Sequence, residues 1–151
     1  MIKRPMNYLS PHFSYEECVR TTHESLGNTP SDEALTNLVA VCTELAEPTR
    51  TRWGPLYVSS GYRSVPVNSA VGGAPDSAHL YGCALDLVPL TAGVTVDQIV
   101  AWAVKSGLQF DQVIDESTPS GHRWVHMAVA HTGAPRLQAL VYRDGVYSPF
   151  A

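Results

Sequence analysis

The run Cys83-Ala84-Leu85-Asp86-Leu87-Val88 constrains this chain more than any other stretch. It has the length and apolar content of a buried strand, yet it carries a carboxylate in its middle. A buried carboxylate is costly unless it is paired, hydrogen-bonded or bound to a metal. The fold must therefore bring partners to Asp86. Seven positions upstream, in a segment rich in turn-forming residues, stands His79, and Gly82 separates the two. Oxygen from Asp86 and nitrogen from His79 are both good zinc ligands. Two ligands do not complete a site, so a third must come from elsewhere in the chain.

The second informative strand is Arg123 to Ala130, which contains Trp124-Val125-His126-Met127-Ala128. Side chains alternate along a strand, so His126 shares a face with Trp124 and Ala128. If this strand lies antiparallel beside Cys83–Val88, His126 and Asp86 become neighbours on one face. His79 then swings in from the preceding loop. Two imidazoles, one carboxylate and an open position make up the usual catalytic zinc set. Each residue also has a plainer reading: a hydrogen-bonded core histidine for His126, and an arginine-paired or backbone-bonded carboxylate for Asp86.

The remaining chain supplies one domain's worth of elements. Ser14 caps a short helix, with Glu17 three residues on completing a capping box. Thr29 caps a longer helix with Pro30 in its first turn; Leu35, Leu38, Val39, Cys42, Leu45 and Ala46 recur at helical spacing, and Pro48 should kink or end it. Leu56–Ser59 reads as a strand and 67–71 as a short helix. Thr95 and Gln98 form a second capping box on a helix that ends before Gly107. Phe110 to Asp115 reads as a strand, 117–121 as a turn, and 137–147 as a hairpin about Asp144-Gly145. Helix first, then strands with one helix inserted, predicts an α+β domain with a mainly antiparallel sheet. The 151 residues form a single domain, residues 1–8 being a tail.

With 44% apolar and 16% charged residues the chain reads as a globule, and its net charge of −4 argues against a nucleic-acid partner. Cys18, Cys42 and Cys83 are odd in number and widely spaced, so they read as small buried residues in a reducing compartment. No stretch suits a membrane span, and the N-terminus lacks the apolar run of a signal peptide.

The pattern Ser77-x-His79-x-x-Gly82-x-Ala84-x-Asp86, followed by Trp124-Val125-His126, resembles the zinc D-Ala-D-Ala carboxypeptidases and their phage endolysin relatives. Leu9–Phe13, Ser59–Ser64, Asn68 and Val71–Ala74 resemble the small phage and bacterial branch. The likeness runs from about residue 9 to 147. The hedgehog signalling domain shares this fold, so the resemblance implies a hedgehog/DD-peptidase-like domain, its sheet flanked by helices. It further implies zinc held by His79, Asp86 and His126, with Arg63 beside the metal to bind a substrate carbonyl or carboxylate. Ser77 would bind substrate or orient its loop, and Trp124 would wall the cleft.

Many relatives place an acid three residues before the last histidine ligand. Here Arg123 stands there. The small branch instead ends the preceding strand with an acid, which makes Glu116 the implied general base and Asp115 the alternative. Strand alternation turns these two to opposite faces. His122 is a further candidate, for oxyanion stabilisation, and Tyr62 and Tyr81 are candidates for the groove. His12, His23 and His131 have no motif around them and read as non-ligands.

The implied activity is a monomeric zinc peptidase acting on the peptidoglycan stem peptide. It would cut as a D-Ala-D-Ala carboxypeptidase or an L-Ala-D-Glu endopeptidase, in wall lysis or remodelling. It would reside in the host cytoplasm before lysis, or on a virion. The rival readings are a catalytically silent zinc module, motivated by Arg123, and a virion-associated wall-binding protein.

Overall fold

In a computed structural model, residues 7–151 are described. The expected tail lies largely outside them, and Tyr8 already belongs to a strand. A two-stranded ribbon, β1 (Tyr8–Ser10) and β2 (Phe13–Ser14), opens the fold. These strands are too short to show an alternating pattern. The ribbon is fastened by Glu47, whose carboxylate accepts from Ser10 Oγ at 2.6 Å and from the His12 backbone N–H at 2.8 Å. Helix α1 (Tyr15–Val19) follows with the expected Ser14/Glu17 capping box.

The long helix differs from expectation at both ends. Its N-cap is Ser31, whose hydroxyl accepts from the Ala34 N–H, so α2 spans Asp32–Val41 and Thr29-Pro30 lies upstream. Pro48 does not end it. The turn Cys42–Ala46 widens to π geometry, and α3 (Glu47–Trp53) then carries the helix past the proline. A proline ring clashes with the carbonyl four residues back, and a widened turn relieves that clash. Ala34, Leu38, Val41, Cys42, Leu45 and Ala46 form the buried stripe.

The main sheet has the order β3-β4-β6-β5-β7-β8. Its strands are β3 (Leu56–Ser60), β4 (Ala84–Pro89), β5 (Gln112–Ser117), β6 (Arg123–Ala128), β7 (Gln138–Arg143) and β8 (Val146–Pro149). All pairings are antiparallel except β5 with β7. Between strands lie α4 (Val65–Ala70), a 3-10 turn (Ala78–Tyr81) and α5 (Val96–Lys105), the last with the expected Thr95/Gln98 box.

Leu85, Leu87, Val113, Val125 and Met127 turn to one face of the sheet and join Leu38, Leu45, Ile99 and Val100 in the core. All nine are essentially inaccessible, each contributing about 1.5–3 kcal/mol by leaving water. The intervening positions, Asp86 and His126 among them, turn to the opposite face, where the 3-10 turn covers them. The sheet is thus a rigid floor whose far side is set by apolar packing, which fixes the register of the polar side. Cys18 and Cys42 are buried and free with sulfurs 3.6 Å apart, and Cys83 is buried and free as well.

Candidate metal centre and cleft

Asp86 and His126 are directly opposed on β4 and β6. His79 reaches them from the 3-10 turn, which is closed by Gly82 in the left-handed region at φ 73°. A Cβ at Gly82 would also strike the Ala34 carbonyl, so glycine is required there twice over. Ser77 caps this turn, its hydroxyl accepting the His79 N–H at 3.3 Å.

One carboxylate oxygen, Asp86 Oδ1, is 3.2 Å from His79 Nε2 and 3.1 Å from His126 Nδ1. The other, Oδ2, is 3.4 Å from an Arg63 guanidinium nitrogen. All three donor residues are buried, and their ligating atoms lie within 4.8 Å of one another. Ligands at about 2.0–2.1 Å from a tetrahedral zinc stand about 3.3 Å apart. The two contacts to Asp86 match that spacing, and the donor set of two imidazoles and one carboxylate suits zinc. His79 is also oriented for the task, because its other ring nitrogen, Nδ1, meets the Gly61 carbonyl at 2.6 Å. His126 Nε2, by contrast, is buried with no partner among the described residues.

Electrostatics bind the cluster together. Burial pushes the Asp86 carboxyl up, but the two imidazoles outweigh it and hold the group below the usual range. Burial lowers His79 despite Asp86. His126 is raised, because its hydrogen bond to Asp86 and the Asp86 and Glu116 charges overcome burial.

Glu116 Oε1 is 3.6 Å from His126 Nδ1. Burial, reinforced by the Asp86 charge, pushes this carboxyl up to about 6 against the opposing pull of His126 and Arg63. Asp115 points the other way. Its carboxylate takes a bidentate hydrogen bond from Arg123, at 2.9 and 2.6 Å, and lies 3.0 Å from Arg143. Arg123 therefore stands on the α5 side of the sheet, away from His126.

Arg63 also donates to Ser60 Oγ at 3.0 Å and to Asn68 Oδ1 at 3.3 Å, which fixes its guanidinium beside Asp86. A cavity of about 590 Å³ opens there, lined by Arg20, Tyr62, Arg63, Asp86, His122 and Trp124 among others. Tyr62 both lines this cavity and packs against the core. Tyr81 instead stacks on His131, with ring centroids 4.0 Å apart. His12 and His131 face Glu47 and Glu33 and take no part in the cluster. Trp124 lines the cavity, and its buried indole N–H acts on the Glu116 carboxyl against the burial that raises it. Sequence reasoning missed the Gly61 carbonyl and Arg20, since both act through contacts distant in sequence. Among the described residues no helix is long and apolar enough to cross a membrane.

No curated protein shows significant similarity to the chain. A family model described as Peptidase M15 matches residues 11–128, more than three quarters of its length. That span contains the triad, Arg63, Glu116 and the cleft wall. The fold, the His-Asp-His cluster and this match agree, and the chain belongs to the M15 peptidases, a family of zinc-dependent metallopeptidases that act on peptidoglycan.

Proposed function

We propose that this protein is an active zinc peptidase that hydrolyses a peptide bond in the stem peptides of peptidoglycan, in wall lysis or remodelling. The observation that carries the reading is the position of Glu116. It is a largely buried carboxylate, raised to about 6, standing 3.6 Å from a candidate ligand and in register with Trp124 of the cleft wall. His79 Nε2, Asp86 and His126 Nδ1 would hold the ion. When bound, zinc supplies Lewis-acid polarisation of the scissile carbonyl and makes a neighbouring water more acidic.

The chain's own groups do the rest. Glu116 takes the water's proton at its carboxylate and returns it to the leaving amine, a role suited to a carboxyl poised near neutrality. Arg63, held by Ser60 and Asn68, grips a substrate carbonyl or carboxylate with its planar fork. Trp124 walls the cleft. The silent-module alternative rested on Arg123. That side chain is engaged with Asp115 on the opposite face, which supports Glu116 in the proton-handling role.

Zinc analysis together with digestion of purified peptidoglycan, products being identified by mass, tests the reading. One equivalent of zinc and release of stem-peptide fragments are expected. Stoichiometric zinc with no cleavage of any wall peptide would overturn the peptidase assignment.

A further inference from the structure

Four side chains line up across the sheet on the face that carries the triad. Glu116 is in register with Trp124 on β6 and with Tyr142 on β7, and Tyr142 is in register with Tyr147 on β8. Residues paired in this way project to the same face. The row therefore runs Trp124, Glu116, Tyr142, Tyr147. Its last two members lie beyond residue 128, outside the span that matches the family.

The tyrosine rings are 4.6 Å apart between centroids and tilted by 53°. Tyr147 remains 56% exposed at the edge of the sheet. Burial and the Glu116 charge together raise its phenol, with smaller contributions from Tyr142, Asp86 and Asp76. The cavity with Arg20 and Arg63 lies in the other direction, over β3 and β4. Glu116 and the triad stand between a cationic pocket and an aromatic surface.

The two sides suit different chemistry. The exposed Tyr147 ring, with the half-buried Tyr142 ring against it, presents an apolar face rimmed by hydroxyls, a surface that packs against the C–H face of a pyranose and hydrogen-bonds its substituents. Neighbouring strands are about 4.8 Å apart, which puts Tyr142 and Tyr147 about 5 and 10 Å from the strand that carries Glu116. A peptide advances at most about 3.3–3.6 Å per residue. A ring on these tyrosines is thus only one to three residues from the bond being cut.

We infer that Tyr142 and Tyr147 form a sugar-binding shelf that receives the amino-sugar ring to which the substrate peptide is attached. The inference rests on the reading of the substrate as peptidoglycan. It orients that substrate: the glycan end lies over β7 and β8, and the carboxylate-bearing remainder of the stem enters the Arg20 and Arg63 pocket. The bond cut is then one near the sugar.

The test is a nuclear magnetic resonance titration of the full chain with the peptide-free disaccharide of N-acetylglucosamine and N-acetylmuramic acid. Saturable shifts at Tyr142, Tyr147 and their β7–β8 neighbours are expected at millimolar concentrations. Tyr147→Ala should weaken the interaction about tenfold or more, a loss of about 1.4 kcal/mol, while Tyr147→Trp keeps it. No saturable shift, shifts clustered elsewhere, or equal binding by Tyr147→Ala would overturn the shelf. The readout needs no turnover. A protein that binds the disaccharide but never cleaves the wall keeps the shelf and loses the peptidase reading, and one that cleaves without binding the disaccharide loses the shelf alone.

Discussion

Asp86 and His126 face each other in register across β4 and β6, with Oδ1 and Nδ1 3.1 Å apart. The same oxygen contacts His79 Nε2, so one carboxylate ties together two imidazoles from distant parts of the chain. An ion that binds only this folded arrangement stabilises it by about 2.7 kcal/mol at a hundredfold excess over its dissociation constant. In a domain of this size that corresponds to roughly 5–10 °C in Tm. Chelation should lower the melting temperature by this amount, and re-addition of zinc should restore it. Asp86→Ala and His126→Ala should show no zinc-dependent shift. Unchanged melting of the parent on chelation would count against a structural coupling between ion and fold.

Gly61 governs the metal centre from outside it. Its carbonyl accepts the His79 Nδ1–H, and a Cβ on it would run into the Cys18 carbonyl. Gly61→Ala must displace this backbone. Overpacking of this kind costs about 1–3 kcal/mol, and loss of a partner that orients a ligand weakens metal binding about 10- to 100-fold. Competition with a chromogenic chelator would measure the affinity; an alanine variant that holds zinc as tightly as the parent contradicts the role given to Gly61.

Asp115 makes stability depend on pH. Burial pushes its carboxyl up, but hydrogen bonds from Arg123 and Arg143 more than reverse this and depress it in the folded state. A depressed carboxyl contributes stability that is present above its unfolded value near 4, and that is lost as pH falls through the folded value. Asp115→Asn should therefore cost about 1–3 kcal/mol at pH 7, below the usual loss for a fully buried pair because both guanidiniums are partly exposed. The gap between parent and variant should narrow as pH falls below about 4. Thermal unfolding at several pH values checks this, and a gap that stays constant with pH would exclude the ion pairs as its source.

The legible parts of the sequence were those set by local chemistry or strict periodicity. The capping boxes at Ser14 and Thr95 needed only spacing. The meeting of Asp86 with His126 followed from alternation once the two strands were taken as neighbours. The same alternation separates Glu116 from Asp115. Other features depend on contacts that local patterns do not encode. The ribbon of β1 and β2 has too few residues for a periodic signal, and Glu47, 37 positions from Ser10, fastens it. The π turn before Pro48 absorbs a proline that ordinarily stops a helix. The parallel pairing of β5 with β7 aligns Glu116 with Tyr142, and no local pattern announces a parallel register.

Glu116→Gln separates proton handling from metal binding, and so tests the central claim most directly. The substitution keeps size and hydrogen-bonding capacity while removing the base. Rates of peptidoglycan hydrolysis should be compared for parent and variant at matched zinc content. The account predicts one equivalent of zinc in both, with hydrolysis by the variant reduced about 10²- to 10⁴-fold, the usual contribution of general acid–base catalysis. A zinc-loaded variant that cleaves at the parent's rate would contradict it.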